Sequence, residues 1–580
     1  MLEVKRTAWP TLAFILTALA PTAVAAQPPP QAPPVPPFGE PTGRPGEPPP
    51  LQHEEPRPTP PPVLPPLPPP PRRELEPLPA ERVFVREIRI VGGTVFSPQE
   101  LARVAAPYVN RQVTSEDLEA LRVALTLLYV NKGYVNSGAI LPDQPVTEGV
   151  VTYQIIEGGL TAIAVDGNRW FRSGYFQRRL RLAAGLPLNV NALQQELQLL
   201  LEDPRIRRLN AELKPGLRPG ESLLDLRVDE RPPYRLLLEF NNYQSPSVGA
   251  ERGLVTAEHL NLTGNGDILT LRYGRSEGVD PLLDFRYSVP FTARDTTASF
   301  QYRKNTFAVV EEQFKDLQIE SDSEIFTLTL RHPVYRTLRD EIALELTGER
   351  LSNQTSLLGR PFPLSPGATE NGEVVVTAIR AAQEWVHRTA SQVVAARSRF
   401  SLGVDALGAT VNSHQARIPD GRFFSWLGQF QWVRRLPLLD IALLYRADLQ
   451  LAANPLLVLE QTAVGGRYSV RGYRENTLVR DNAFLTSLEA RIPLLRNVPG
   501  ADYLELAPFG DFGRAWETAR RTPDRQDIAS LGIGLRWAAT VGFLRPQIEV
   551  YWGEKLRNVK TPGGNLQDKG LHLQFSLAAF

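Results

Sequence analysis

The residues with the most distinctive chemistry lie in the last quarter of the chain. Gly466-Arg467-Tyr468-Ser469-Val470-Arg471-Gly472-Tyr473 interrupts a series of alternating segments, and Phe509-Gly510-Asp511-Phe512-Gly513 lies inside one of them. A guanidinium presents a fixed fork of donors that suits a carboxylate, so these residue types suggest charge pairing, not bond-making chemistry. Alternation puts Asp511 on one strand face with Glu505 and Phe509, opposite Leu504, Leu506 and Phe512. Arg471 is then either a solvated loop arginine or a cation drawn to an inward carboxylate.

Signals for catalysis are absent. The six His are scattered, and no His-x-x-x-His, Gly-x-Ser-x-Gly or Walker arrangement occurs. Glu54-Glu55 and Glu311-Glu312 sit in polar contexts and read as solvated faces. With no cysteine there is neither a disulfide framework nor a thiolate metal site. No catalytic residue, metal or cofactor is expected, and the chain does not read as an enzyme. The formal net charge of +1 lacks the cationic excess of a nucleic-acid binder, so that partner is discarded.

The elements that position these residues begin with a secretory signal over residues 1–26. Lys5 and Arg6 precede the apolar run Leu12 to Ala20 and the small-x-small site Ala23-Val24-Ala25. That run is about half the ~20 residues of a helical span. Residues 27–80 form a proline-rich linker, read as a semi-rigid spacer because it has few large apolar residues to bury.

Residues 81–158 and 159–232 repeat one pattern. In the first unit Phe84, Ile88 and Ile90 alternate as a strand. Ser97-Pro98-Gln99-Glu100 is a capping box that opens a short helix, and Thr114 caps a longer one carrying Leu118, Leu121, Leu125 and Leu128. Strands follow at Ser137 to Leu141 and around Val151, Tyr153 and Ile155. The second unit has Ile163 and Val165 in a strand, a longer helix with Leu193, Leu197 and Leu200, and strands through Leu209 to Leu213 and Leu224 to Val228. This strand, two helices and two strands resembles the polypeptide-transport-associated (POTRA) domain.

Residues 233–580 read as strand after strand. Leu269, Leu271 and Tyr273 alternate with Thr270, Arg272 and Gly274; Ile533, Leu535 and Trp537 alternate with Gly532, Gly534 and Arg536. Charge on one face and apolar bulk on the other, in runs near the ~9–11 residues of a tilted spanning strand, suit a membrane barrel with a wet lumen. At roughly 20 residues per strand with its turn or loop, the stretch holds about 16 strands. The turn Gly264 to Asp267 fits the periplasmic side, and Ser352 to Glu373 reads as an extracellular loop.

Val470-Arg471-Gly472-Tyr473 is similar to the signature in the sixth extracellular loop of two-partner secretion transporters of the TpsB type, the haemolysin and filamentous-haemagglutinin secretion and activation family. Phe509, Asp511 and Gly513 match that family's Phe-x-Asp-x-Gly motif on a barrel strand. The resemblance implies that the loop folds into the lumen and that Arg471 pairs with Asp511. Asp568 to Phe575, with Gly570, Leu573 and Phe575, resembles the signal read by the barrel-assembly machinery, and the chain stops on Phe580. Leu571, Leu573, Phe575 and Leu577 share a face that Phe580 does not. Some members carry an N-terminal helix that plugs the pore, whereas here only the proline-rich tract precedes the first unit.

The implied fold is an all-β transmembrane barrel preceded by two α+β POTRA domains. The implied function is export, without ATP, of a partner exoprotein of the TpsA type across the outer membrane, with the POTRA domains in the periplasm. Outer-membrane lipid and the assembly machinery are the other expected partners, and a monomer is expected. The alternatives are an outer-membrane assembly factor of the same superfamily and a passive porin or adhesin.

Overall fold

A computed structural model describes residues 56, 58–65, 82–412, 417–523, 526–559, 561 and 563–580. The signal segment and most of the proline-rich tract lie outside the described residues.

The first α+β module contains β1 (Val83–Val85), β2 (Glu87–Val91), α1 (Pro98–Ala105), β3 (Arg111–Val113), α2 (Ser115–Val130), β4 (Gly138–Ile140) and β5 (Val150–Ile156). Ser97 and Glu100 close the capping box of α1, and Thr114 with Asp117 closes another at α2. Each box satisfies amide donors that the first helical turn leaves unpaired. The helices cover a sheet ordered β2-β5-β4, in which β2 runs parallel to β5. Tyr129 is fully buried edge-on to Phe96 and donates to Glu157 at 3.0 Å. The stretch around Phe84, expected as one strand, breaks at Arg86: β1 turns away to pair with β3, and β2 joins the main sheet.

The second module contains β6 (Gly159–Asp166), α3 (Ser173–Ala184), α4 (Val190–Leu201), β7 (Ile206–Pro215) and β8 (Glu221–Glu230), with sheet order β6-β8-β7. Its two helices are equal at 12 residues each, so α4 is not the longer one that its leucines suggested. Phe176, Leu180, Leu193 and Leu197 are fully buried beneath them.

A closed antiparallel barrel of 16 strands follows. Its first half runs β9 (Tyr234–Asn241), β10 (Arg252–His259), β11 (Ile268–Ser276), β12 (Val279–Pro290), β13 (Thr297–Ala308), β14 (Glu320–Arg336) and β15 (Asp340–Leu357). The two-residue β16 (Arg360–Pro361) extends one hairpin before β17 (Glu373–Arg388), β18 (Gln392–Gly403), β19 (Phe424–Arg435) and β20 (Ala442–Ala452). A loop holding the small hairpin β21 (Thr462–Val464) and β22 (Leu478–Arg480) leads to β23 (Asn482–Val498), β24 (Ala501–Trp516), β25 (Asp527–Ala538), β26 (Leu544–Lys555) and β27 (Leu571–Ala579). Strand β27 pairs with β9 to close the ring, through Gln574↔Asn241 to Ala579↔Leu236.

The barrel inverts a soluble protein's pattern. Leu236, Leu238 and Phe240 are exposed on β9, while Arg235, Glu239 and Asn241, together with Leu237, are buried on the alternate face. Apolar side chains outward and charge inward suit lipid outside and a polar lumen. Several strands exceed the expected length, with β15 at 18 residues. Ser352 to Leu357, read as loop from sequence, continue the β15 ladder, because residues beyond the lipid zone keep backbone pairing without needing apolar alternation.

The second module docks on the turns at one end of the barrel. Arg205, held by Asp203 at 2.6 Å, donates to the carbonyls of Leu260 at 2.6 Å and Gly266 at 2.8 Å. The Arg172 amide donates to Gly264 O at 2.9 Å, and Arg179 and Arg336 both bind Asp295. Burial alone would raise the Asp203 carboxyl, but the charge and hydrogen bonds of Arg205 hold it below its usual range. Burial pushes the Glu196 carboxyl on α4 up to about 7 against the pull of Arg336.

Candidate functional site

The loop between β20 and β23 folds back into the barrel. Its hairpin pairs Thr462↔Arg480 and Val464↔Leu478, so Gly465 to Thr477 form a tip carried on a short two-stranded stem. Val470 at that tip is fully buried in a cluster with Val464, Leu485 and Ala515.

Arg471 is 3% exposed and Asp511 4%. The Asp511 carboxylate accepts Nε at 2.7 Å, Nη2 at 2.7 Å and the Arg471 amide at 3.0 Å. Nη2 also donates to Ser487 Oγ at 3.0 Å, Nη1 binds Glu489, and the guanidinium carbon lies 3.6 Å from the centre of the Phe509 ring. Pairing of β23 with β24 sets Ser487 opposite Asp511 and Glu489 opposite Phe509. A bidentate carboxylate, a second anion and an aromatic face together satisfy a cation removed from water.

Both motif glycines have steric work. Gly472 sits at φ +88°, and a Cβ there would lie 2.6 Å from Gly553 O. At Gly513 a Cβ would meet Val464 Cγ1 at 2.4 Å and Val470 Cγ2 at 2.8 Å, so only glycine lets the loop lie against the wall. Tyr473 donates to Ala529 O at 2.9 Å and accepts from the Arg557 amide at 3.1 Å.

Several partners were not singled out from sequence. Arg467 binds Glu549 at 2.8 Å and stacks 4.0 Å from the Tyr551 ring centre. Arg536 continues the belt to Glu549 at 3.1 Å and Glu505 at 2.9 Å. Arg474 bridges Glu311 and Asp568, both at 2.7 Å, so Glu311, expected on a solvated face, is instead a largely buried ion-pair partner of the loop. The Gly472 amide donates to His572 Nε2 at 3.0 Å, and the Glu475 amide to Gln567 Oε1 at 2.9 Å. Gln567 in turn donates to Gln244 O at 2.7 Å, and Asn242 accepts from the Leu573 amide at 2.7 Å. The loop tip therefore touches the seam where β27 meets β9. Parity would have put Ser487, Glu489, Glu549 and Tyr551 on the lumen face, but only strand register assigns them to Arg471 and Arg467.

At the C-terminus, Gly570 precedes β27, and Leu573 and Phe575 lie on its outer face. Phe580 follows the end of β27, where its amide donates to Phe543 O at 3.2 Å and its ring lies 5.9 Å from the Arg235 guanidinium carbon. Among the described residues no group of His, Asp and Glu could hold a metal ion, and no helix is long and apolar enough to cross a membrane.

The same architecture recurs in known proteins. A family model described as haemolysin secretion/activation protein ShlB/FhaC/HecB matches residues 220–537, more than half of the chain, and a POTRA domain model of ShlB type matches 83–158. The outer membrane transporter CdiB of Dickeya dadantii is 25% identical over 407 residues, covering 67% of this chain and 69% of that protein. The hemolysin transporter protein ShlB of Serratia marcescens is 24% identical over 522 residues, covering 85% and 86%. The solved structure of CdiB from Escherichia coli superposes with a TM-score of 0.65 at 19% identity, covering 88% of this chain and 92% of that one. A barrel of this kind stands in the outer membrane with its POTRA domains in the periplasm. The chain belongs to the ShlB/FhaC/HecB family of haemolysin secretion/activation proteins, a family of outer-membrane transporters.

Proposed function

We propose that this chain recognises one partner exoprotein in the periplasm and passes it through the barrel to the cell surface, with the loop tip as the latch of the passage. The reading takes residues 1–26 as the signal, 27–80 as linker, 81–158 and 159–232 as the two POTRA domains and 233–580 as the barrel. The observation that carries it is the buried Arg471, bound by Asp511, Glu489 and Ser487, which fastens an otherwise extracellular loop inside a polar lumen. A barrel that only leaked solutes would have no use for such a costly desolvated clasp.

In this account the cargo arrives unfolded and adds a strand to an open sheet edge of a POTRA domain, where backbone amides and carbonyls await partners. The sheet orders leave β2 and β4 at the edges of the first domain, and β6 and β7 at those of the second. No nucleotide-binding motif occurs in the sequence, so folding of the cargo outside supplies the bias. Gly570, Leu573, Phe575 and Phe580 serve as the insertion signal, and the barrel works as a monomer. Deleting the gene should remove one large exoprotein from the medium, and the intact gene should restore it. Broad depletion of outer-membrane proteins instead would favour the assembly-factor reading, and an unchanged medium together with unchanged outer-membrane proteins would refute both.

A further inference from the structure

The proline-rich tract does more than space the barrel from its leader. Leu64 is 8% exposed and belongs to the apolar core of the second POTRA domain, together with Phe176, Leu193 and Leu197, and Val63 packs beside it. The backbone is read as well. The Leu64 amide donates to Gln194 Oε1 at 2.8 Å, and Gln198 Nε2 donates to Pro60 O at 2.5 Å. Gln194 and Gln198 stand one turn apart on α4, so a single helix face offers an acceptor and a donor to a chain that bends at Val63 and Leu64 beside an apolar seat.

We propose that this face of α4 is a peptide-binding groove, held at rest by Pro58 to Pro65 of the same chain and taken over by an aliphatic-bearing segment of the exported protein. This inference rests on the exporter reading. The resident is an imperfect ligand. Pro60, Pro61 and Pro62 carry no amide donor, and Gln194 Nε2 is buried without a hydrogen-bond partner among the described residues. A cargo segment that presents one more carbonyl there satisfies that donor, which favours exchange. The chain between Pro65 and β1 keeps the resident near the groove at an effective concentration on the order of millimolar. For a groove affinity of ~100 µM, that occupancy weakens an incoming peptide about tenfold, so weakly matching periplasmic segments are refused.

The test uses the full-length protein in detergent and a fluorescent peptide with the sequence of residues 56–65. Leu64→Asp places a charge in the apolar seat and evicts the resident; Leu64→Ala is a milder version for use if the first fails to fold. The peptide should bind the Leu64→Asp variant about tenfold more tightly than the wild type and the Leu64→Ala variant more tightly by a smaller factor, and adding Gln194→Ala with Gln198→Ala should abolish either gain. Equal binding to wild type and variants, or no binding to the emptied groove, overturns the proposal. In cells, Leu64→Ala should lower the exoprotein expression level that gives half-maximal secretion; an unchanged level overturns the cargo's use of the groove. Peptide binding needs no cargo, so its failure leaves the exporter reading standing. Absence of any lost exoprotein on gene deletion removes that reading by itself.

Discussion

Replacing Arg471 by alanine should free the loop while leaving the barrel folded. The change strips Asp511 of two side-chain bonds at 2.7 Å and leaves both Asp511 and Glu489 buried without this cation. Breaking a buried pair by removing one partner costs about 3–5 kcal/mol, part of it the stranded anion, and loss of the stack on Phe509 adds to it. Because the chain has no cysteine, a single Val470→Cys reports on the loop without background. Val470 is fully buried, so a maleimide reaches that thiol only when the tip leaves the wall. If labelling proceeds through such opening, a destabilisation of ~3–4 kcal/mol raises its rate roughly a hundred- to a thousand-fold. The barrel should still migrate as a heat-modifiable, inserted species, and secretion should stop. A labelling rate within about threefold of the parent, or normal export, would refute the latch.

Gly513→Val should expel the tip by a different route, since its Cβ collides with Val464 and Val470; faster thiol labelling with unchanged strand circular dichroism is expected. His572→Leu removes the acceptor of the Gly472 amide, and an orphaned buried amide costs about 1–3 kcal/mol. Its labelling should fall between those of the parent and the Arg471 variant, and a rate equal to the parent would count against the link to the seam. Arg179→Ala should loosen the second POTRA domain from the turn at Asp295, visible as faster amide exchange in residues 291–296 without a change in barrel strands. Glu196 supplies a pH dependence. Its folded pKa, near 7, lies above the ordinary carboxyl value, so its contribution is fully favourable at acid pH and is lost as pH rises through about 7. Intrinsic-rate-corrected exchange of α4 should be slower at pH 6 than at pH 8, and Glu196→Gln should erase the difference.

Much of the barrel was legible because alternation is a local signal. Rows such as Leu269 to Gly274 carry the lipid face and the lumen face in one stretch of chain, and parity alone set Asp511, Glu505 and Phe509 on one side. The capping box at Ser97 and the cap at Thr114 likewise mark helix starts locally. What stayed hidden depends on register or closure. Glu489 reaches Arg471 because β23 pairs with β24 in one particular alignment, and His572 meets Gly472 only because the last strand returns beside the first. Leu64 was read as part of a spacer because nothing near it in sequence is apolar enough to form a core; its core lies 130 residues away on α4. The ends of the long strands were missed for the opposite reason, since Ser352 to Leu357 need only water and backbone pairing.

Passage through the lumen is the central claim, and trapping cargo in transit tests it most directly. Gln431 is buried on the inner face of β19, and Ile533 is exposed on the outer face of β25. With a photo-crosslinking amino acid at each position in turn, the exoprotein should be captured from 431 during export and not from 533. Capture from 533 alone, or no capture from 431 while export continues, would contradict the account.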